Sequence, residues 1–253
     1  MFRKNFTRLA SLFAVSILMA GCATRPPNET AQVRAADQIA AFSSNAAGTA
    51  PAQWEPMIIL KTKKPTEYRI VSEQGKAILH AYAHEASSGL MQRVSIDPFS
   101  QPQLDWSWKV GTAVETFDTH YQTTEDSPAR VILGFDGDKD TLPFTDQILF
   151  ETARVLTGYE FPYATLMYIW DKDKPVGTIM SSRRSSRIKM LVVANQTDGV
   201  GQWRSFSRNI TADYEAAFGE KPSRLIGVGV LTDTDNLGQT VEAWYGDLRL
   251  RPE

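Results

Sequence analysis

The composition of this 253-residue chain excludes several classes of protein. Lys and Arg number 27 against 29 Asp and Glu, a formal net charge of −2. This balance argues against sequence-independent binding to nucleic acid, which requires an excess of basic residues. Cys22 is the only cysteine, so the folded part has no disulfide and must be stabilised by its core. The length is sufficient for one domain with a sizeable core.

The N-terminus has the three-part pattern of an export signal. Basic residues lie within positions 3–8, an apolar run covers residues 9–20, and small residues precede Cys22. The apolar run is too short to span a bilayer comfortably. Residues 18–22 (LMAGC) resemble a bacterial lipobox, with Met19 at the position that is usually leucine.

The resemblance to a lipobox implies that residues 1–21 are removed as a lipoprotein signal peptide and that Cys22 is acylated, with chains such as palmitate. At about 0.8 kcal/mol per buried CH₂, two or more acyl chains hold a protein on a membrane. Ala23 follows Cys22, which by similarity to Gram-negative lipoproteins favours the outer membrane, with the protein facing the periplasm. The alternative is an uncleaved helix with a buried Cys22. Residues 22–37 are predicted to form an acylated tether, and residues 38–253 a single β-sandwich domain.

Short runs rich in β-branched and aromatic residues recur about every ten residues beyond the tether, separated by turn residues such as those at 73–75 and 136–138. This pattern predicts a mainly β fold, a jelly roll or other β-sandwich. A first strand over residues 38–43 is also predicted. The other strands are predicted at residues 57–60, 68–71, 77–83, 90–96, 104–110, 130–135, 164–170, 188–194, 225–231 and 241–250.

Two short helices are predicted to cover an open end or edge of the sandwich. Residues 145–156 place Leu149, Ala153 and Leu156 at helical spacing, and Gly158 follows them. Residues 211–218 are followed in the same way by Gly219. Each glycine is suited to a left-handed cap at the end of a helix.

Five ordered motifs resemble the bacterial domain of unknown function 3047 family, over residues 42–251. The resemblance implies an exported single-domain protein of galactose-binding-like jelly-roll type. It supplies no catalytic residues, because the family has no established activity. The motifs are LDWSWKV (104–110), EDSPAR (125–130), ATLMYIW (164–170), TDTDN (232–236) and WYGD (244–247).

Two loops carry the candidate ligand-binding residues. A guanidinium held beside carboxylates can orient a ligand acid or hydroxyl by forked hydrogen bonds. The same residues can equally form a structural ion pair that holds a loop. Loops positioned by a rigid sandwich are also where binding sites usually occur. The candidates are Glu125, Asp126 and Arg130 at the start of one strand, and Asp233, Asp235 and Asn236 after another.

Asp247 is a candidate calcium ligand. Strand alternation over residues 243–250 assigns Trp244 to the inward face and Asp247 to the outward face. Jelly-roll sugar-binding modules often hold a structural calcium with an aspartate in their last strand, and the resemblance implies the same here. A solvated or salt-bridged aspartate is the alternative. His80 and His84 alternate along one strand face but lack an obvious third metal ligand.

Two other features have both a functional and a structural interpretation. The basic run at 181–189 (SSRRSSRIK) is predicted to form a hairpin tip or a loop leading into the next strand. It would attract a phosphate-bearing envelope polymer, or it is only a solvated face. Trp106 and Trp108 share a strand face with Leu104 and Val110, which favours core packing over a platform for sugars.

The sequence therefore predicts a membrane-anchored envelope lipoprotein whose jelly-roll domain binds a glycan or another envelope component. One alternative is a hydrolase or lyase that acts on envelope polysaccharide through Asp126, Asp233 or Asp235. Another is a structural lipoprotein that contacts only other proteins. No catalytic residue is assigned, since the common nucleophile, zinc and phosphate-loop motifs are absent from the sequence.

Overall fold

The computed structural model describes residues 35–59, 61–111, 126–234 and 239–253. Ala35–Glu253 form one compact unit. The strands within the described residues are β1 (Glu55–Ile58), β2 (Glu67–Glu73), β3 (Lys76–His84), β4 (Ser87–Ile96), β5 (Gln103–Val110), β6 (Arg130–Phe135), β7 (Ala164–Asp171), β8 (Ile179–Ser181), β9 (Ile188–Asn195), β10 (Arg204–Asn209), β11 (Leu225–Asp233), β12 (Thr240–Tyr245) and β13 (Arg249–Arg251).

These strands form two sheets. The seven-stranded sheet has the order β1-β4-β11-β6-β7-β9-β8, and the six-stranded sheet has the order β10-β5-β12-β3-β2 with β13 beside β5. Strands β3 and β12 pair in the six-stranded sheet, while their chain neighbours β4 and β11 pair in the other. A pair of strands that crosses between two sheets in this way is typical of a jelly roll. The predicted mainly β, jelly-roll sandwich is therefore confirmed.

The main core lies between the two sheets and is rich in aromatic residues. Burial alternates strictly along β5, so that Trp106 and Trp108 point inward. The ring of Trp106 stacks on the ring of Tyr168 from the opposite sheet, with centroids 4.9 Å apart. The prediction that the two tryptophans belong to the core is thus confirmed.

Among the described residues, two α-helices accompany the sandwich, α1 (Phe144–Thr157) and α2 (Ile210–Phe218). Both predicted helices are confirmed to within one residue at each end. Gly158 (φ 75°) and Gly219 (φ 73°) adopt the left-handed conformation that ends each helix. Within the described residues, neither helix has the length and apolar character needed to cross a membrane.

The helices cover different parts of the sandwich. Helix α2 closes an end of the core, where Tyr214 packs edge-on against Phe135 with ring centroids 4.7 Å apart. It begins at the side chain of Asn209, which accepts hydrogen bonds from the backbone N–H groups of Thr211 and Ala212. Helix α1 instead lies over the outward face of the seven-stranded sheet.

The predicted first strand over residues 38–43 is wrong. Phe42–Ser44 form one turn of 3-10 helix, and Phe42 is fully buried against Trp54. The side-chain amide of Asn45 donates to the carbonyl oxygens of Ala41 and Phe42, and so closes the turn. Asparagine commonly satisfies backbone groups in this way outside regular strands.

The predicted final strand is divided in two, and the face predicted for Trp244 is wrong. Strand β12 ends at Tyr245 and β13 begins at Arg249. Tyr245 points inward and is fully buried, whereas Trp244 lies on the outward face. The hydroxyl of Tyr245 has a partner in the interior, because it donates to the carbonyl oxygen of Leu231 at 2.9 Å. A buried tyrosine is stable when its hydroxyl is hydrogen-bonded in this way.

Candidate functional site

Strands β11, β6 and β7, at the centre of the seven-stranded sheet, are buried on both faces. Along β6, Val131 and Leu133 point into the main core, and Ile132 points outward yet is also buried. Strand β7 is likewise buried at nearly every position. Strands covered on both faces consist of continuous apolar runs rather than an alternating pattern. A second apolar layer therefore lies outside this sheet.

The second layer encloses a cavity of about 420 Å³ between the sheet and helix α1, here called the α1 cavity. This volume is within the range of pockets that hold small-molecule ligands. Side chains from the sheet form its floor: Met91, Ile132, Met167, Met190 and Leu231. Side chains from α1 form its roof: Leu149, Phe150, Thr152, Ala153 and Leu156. Further apolar residues at its walls are Met57, Ile58, Ile59, Tyr159 and Phe161.

Three methionines give the floor an adaptable surface. Met91, Met167 and Met190 come from β4, β7 and β9, and each points away from the main core. Unbranched thioether side chains can repack around ligands of different shape. The floor therefore suits flexible aliphatic groups.

Polar residues lie together in the lining of the α1 cavity, here called the acid–arginine cluster: Asp126, Arg130 and Asp233. Arg130 Nη2 donates to both carboxylate oxygens of Asp233, at 3.0 and 3.3 Å. The backbone N–H of Ser127 also donates to Asp233, at 3.0 Å. Both side chains of the ion pair are less than a tenth exposed. Arg130 and Asp233 thus form a buried ion pair, and the Ser127 backbone adds a further hydrogen bond to its carboxylate.

The two strands that carry this ion pair are neighbours in the sheet. Arg130 begins β6, Asp233 ends β11, and Arg130 lies directly opposite Leu231 in the antiparallel register. The hydroxyl of Tyr245 accepts a hydrogen bond from the backbone N–H of Arg130 and donates to the carbonyl oxygen of Leu231. Burial raises the pKa of Tyr245, so this hydroxyl remains protonated at neutral pH. Its two hydrogen bonds link β6 to β11 on the side of the sheet that faces the main core.

Burial also changes the titration of Asp233. Loss of solvation raises the pKa of its carboxyl from 3.8 to about 6, opposed by the charge of Arg130 and assisted by the charge of Asp126. A carboxylate next to an arginine usually has a lowered pKa, so burial is the dominant effect here. A perturbed group in a cleft is a recognised mark of a functional site, although structural ion pairs share it.

The structure brings together three of the candidate residues predicted from the sequence, Asp126, Arg130 and Asp233. Glu125, Asp235 and Asn236 lie outside the described residues, as does the predicted lipid-attachment residue Cys22.

Asp247, the candidate calcium ligand, is not in the lining of the α1 cavity. Its two carboxylate oxygens accept hydrogen bonds from the backbone N–H and the hydroxyl of Ser43, at 2.9 and 2.6 Å. This carboxylate ties the segment around Phe42 to the turn between β12 and β13. Among the described residues, no group of three or more His, Cys, Asp or Glu side chains is arranged to hold a metal ion.

The predicted loop in the basic run is residues 182–187, here called the basic loop, between β8 and β9. Arg183 and Arg184 are exposed and contribute to the wall of the α1 cavity. The hydroxyl of Ser186 donates to Asp146 on α1 at 3.1 Å, which fastens the loop to the helix. Arg187 does not line the α1 cavity, and its guanidinium forms an ion pair with Glu220 at 2.6 Å.

Aromatic residues on the outward face of the six-stranded sheet are already stacked. Trp244 lies between its cross-strand neighbours His80 and Lys109. The imidazole stacks on its ring with centroids 5.0 Å apart, and the ammonium lies 4.2 Å from the ring centroid. Trp203, which is partly exposed, lies over the same ammonium at 5.5 Å and donates its indole N–H to Glu73. The ring of Trp244 therefore presents no free face to a sugar.

The floor of the α1 cavity was missed in the sequence interpretation. The signal was present in the strands themselves, because VILGF (131–135) and LMYIW (166–170) are continuous apolar runs, whereas LDWSWKV (104–110) alternates. A continuous run predicts a strand covered on both faces. That pattern would have identified Ile132 and Met167 as belonging to a second apolar layer.

The family model described as "Protein of unknown function (DUF3047)" matches residues 52–249. No curated protein shows a significant similarity to the chain. Solved structures with a similar fold include a family 11 carbohydrate-binding module from Clostridium thermocellum in complex with a mixed-linked tetrasaccharide (7% identity, TM-score 0.37, covering 82% of this chain and 94% of that chain). Another is a cellulase derived from Cel12A of Rhodothermus marinus (11% identity, TM-score 0.39, covering 80% and 97%). At this identity the likeness concerns the fold alone.

Proposed function

We propose that this chain, which belongs to the DUF3047 family, is an envelope lipoprotein that binds an amphipathic envelope molecule, with the aliphatic part of the ligand in the α1 cavity. The observation that carries this proposal is the cavity itself. Its floor and roof are lined mainly by thioether, aliphatic and phenyl groups. The polar groups in the lining belong to the acid–arginine cluster, Ser87, Thr152, Thr165, Tyr159 and the edge of the basic loop.

The lining favours an aliphatic chain over a sugar ring. A sugar needs hydrogen-bonding groups around its edge and a free aromatic face. The phenyl rings of Phe150 and Phe161 instead stack on each other with centroids 5.8 Å apart, and Tyr159 meets Phe161 edge-on. Each buried methylene of an acyl chain contributes about 0.8 kcal/mol, so the burial of several methylenes in the α1 cavity would favour binding.

Charge suggests where the polar end of the ligand would lie. Arg130 is already paired with Asp233, so the acid–arginine cluster has no positive charge in excess. Arg183 and Arg184 are exposed at the wall of the α1 cavity. An anionic head group would therefore interact with these arginines, while the chain extends toward Met167 and Met190.

A displacement titration with the purified full chain tests the proposal. The fluorescent fatty acid cis-parinaric acid would bind at a single saturable site, and dodecanoate would displace it. Ala153→Trp fills the cavity from the roof and should weaken binding at least tenfold. The matched control is Ala216→Trp on the exposed face of α2, which should bind like the parent. Equal binding by the parent and Ala153→Trp would contradict the proposal. A thermal midpoint raised by a mixed-linkage glucan oligosaccharide but not by dodecanoate would favour glycan binding instead.

A second function is favoured by one observation. Asp126 and Asp233 line the same cavity, and burial raises the pKa of Asp233 to about 6. A carboxyl that titrates in this range is suited to general acid–base chemistry, as in a hydrolase or lyase acting on envelope polysaccharide. Reducing-end release from such a polysaccharide should then fall at least a hundredfold in Asp233→Asn. If the parent protein releases none, the catalytic hypothesis is excluded for that substrate.

A further inference from the structure

A row of residues crosses the outward face of the seven-stranded sheet from β9 to β4, here called the transverse row. Met190, Met167 and Ile132 lie directly opposite one another on β9, β7 and β6. Gly229 of β11 continues the row, with Ile132 on one side and Met91 of β4 on the other. Because neighbouring strands are about 4.8 Å apart, the row from Met190 to Met91 is about 19 Å long. The floor of the α1 cavity therefore extends across the strands.

The two ends of the transverse row differ in chemistry. The basic loop leads into β9, and Arg183 and Arg184 contribute to the cavity wall from that loop. Strand β1 pairs with β4 at the other end, where Met57 and Ile58 contribute to the wall. An aliphatic chain whose anionic head group lies at the basic loop would therefore extend along the row toward β4.

The side chain of Met91 closes the transverse row at its β4 end. Met91 Sδ is 3.2 Å from the position that a Cβ atom on Gly227 would occupy, and Met91 Cε is 3.3 Å from the same position on Gly229. The two glycines lie on the same face of β11, because they are two residues apart in a strand. Met91 lines the cavity whereas neither glycine does. Its side chain therefore fills a recess above the two glycines and separates that recess from the cavity.

The two glycines are required for different reasons. A Cβ atom on Gly229 would lie 2.9 Å from the carbonyl oxygen of Leu90, so the backbone of β4 excludes a side chain there. Gly227 follows an irregularity in β11, but its φ is not positive, so its conformation does not require glycine. Among the described residues, Met91 Sδ is the only atom within 4 Å of a Cβ atom placed on Gly227. Glycine within a strand often marks the close approach of another group, and here that group is the thioether of Met91.

We propose that Met91 sets the length of the aliphatic chain that the α1 cavity accepts, because its side chain ends the transverse row above Gly227 and Gly229. The inference rests on the ligand-binding function proposed above and specifies the ligand further. The ligand has one unbranched chain that lies across the strands, with its head group at the basic loop. A flexible thioether suits this position because it can adjust to the end of the chain.

Displacement of cis-parinaric acid from the full chain by saturated fatty acids of increasing length tests this role. In the parent, affinity should rise about fourfold with each added methylene and stop rising at one chain length, here called the limiting length. Met91→Ala removes Cγ, Sδ and Cε and opens the recess. The acid about two carbons beyond the parent's limiting length should then bind about tenfold more tightly than it binds the parent. Gly227→Ala pushes Met91 toward the cavity, so the acid of limiting length should bind about fourfold more weakly and shorter acids should bind as before.

Two further variants isolate the effect of Met91. Met180→Ala on β8 removes a methionine that does not line the α1 cavity and should leave the limiting length unchanged. Gly227→Ala should have no further effect in the Met91→Ala protein, because the thioether that it displaces is gone. Thermal midpoints verify that each variant is folded, and Gly227→Ala decides the question if Met91→Ala does not fold.

The outcomes separate this inference from the proposed function. A limiting length that stays the same in folded Met91→Ala or in Gly227→Ala would overturn the role of Met91 and leave ligand binding intact. A shortening by Gly227→Ala that persists without Met91 would also overturn it. If no acid displaces the probe from the parent, the proposed function fails and this inference fails with it.

Discussion

The two sheets of this sandwich differ in their outward faces. Along β5 of the six-stranded sheet, every buried residue is followed by a partly exposed one, and the outward side chains include Asp105 and Lys109. Along β6 of the seven-stranded sheet, all residues are buried. An antiparallel sandwich needs only one buried face per sheet. Helix α1 covers this additional apolar face, and the α1 cavity lies between the helix and the sheet.

The largest difference is expected between two ion pairs, one on each sheet, in their contributions to the free energy of unfolding. Arg130→Met leaves Asp233 buried without its cation and should lower the free energy of unfolding by about 3–5 kcal/mol at pH 7. Arg251→Met breaks the exposed pair with Asp105 on the six-stranded sheet and should cost about 0–1 kcal/mol. Urea denaturation of both variants measures the difference. Equal losses would mean that the acid–arginine cluster is not buried as described.

Two neighbouring residues on β7 allow the packing on the two faces of the seven-stranded sheet to be compared directly. Leu166 points into the main core and Met167 into the α1 cavity. Leu166→Ala should cost about 2–5 kcal/mol because it leaves a void in a packed interior. Met167→Ala should cost less, since that side chain already borders empty space. Chemical denaturation decides between them, and a larger loss for Met167→Ala would show that the outward face is packed as tightly as the core.

Titration of Asp233 should give stability a defined pH dependence. Its pKa is about 6 in the folded protein and near 3.8 for an ordinary aspartate. The folded state therefore binds the proton more tightly, so this contribution to stability is complete below pH 4 and lost as pH rises through 6. The loss is about 3 kcal/mol at 1.36 kcal/mol per pKa unit.

Asp233→Asn removes that titration. The difference in unfolding free energy between the parent and this variant, followed from pH 4 to pH 7, isolates the effect. A difference that does not change across this range would contradict the assignment of the raised pKa.

A small effect is also expected from a second ion pair, on the outward face of the six-stranded sheet. Lys109→Met removes the half-buried pair with Glu73 and the contact with the Trp244 ring. The combined loss should be about 1 kcal/mol, and dodecanoate binding should not change. Weakened binding in this variant would mean that the six-stranded sheet contributes to the site.

Local chemistry made much of the fold predictable. Gly158 and Gly219 marked the helix ends because only glycine adopts their backbone conformation without strain. Alternation along residues 104–110 placed Trp106 and Trp108 in the core. The face of Trp244 was not predictable in this way, because an indole packs equally well in a core or between His80 and Lys109.

The site was harder to predict, because it depends on which strands are neighbours. Asp126 and Asp233 were predicted in loops and Arg130 at the start of a strand, but only the pairing of β6 with β11 brings them together. Met91, Met167 and Met190 resemble any other apolar strand residue in the sequence. Their role follows from the side of the sheet on which each one lies.

Methyl resonances of the methionines test the ligand-binding account most directly. The chain has 7 methionines, and Met57, Met91, Met167 and Met190 line the α1 cavity whereas Met180 does not. In the full chain labelled with [¹³C-methyl]methionine, dodecanoate should shift the four cavity resonances and leave that of Met180 in place. Unchanged cavity resonances at saturating dodecanoate, or equal shifts at Met180, would contradict binding in the α1 cavity.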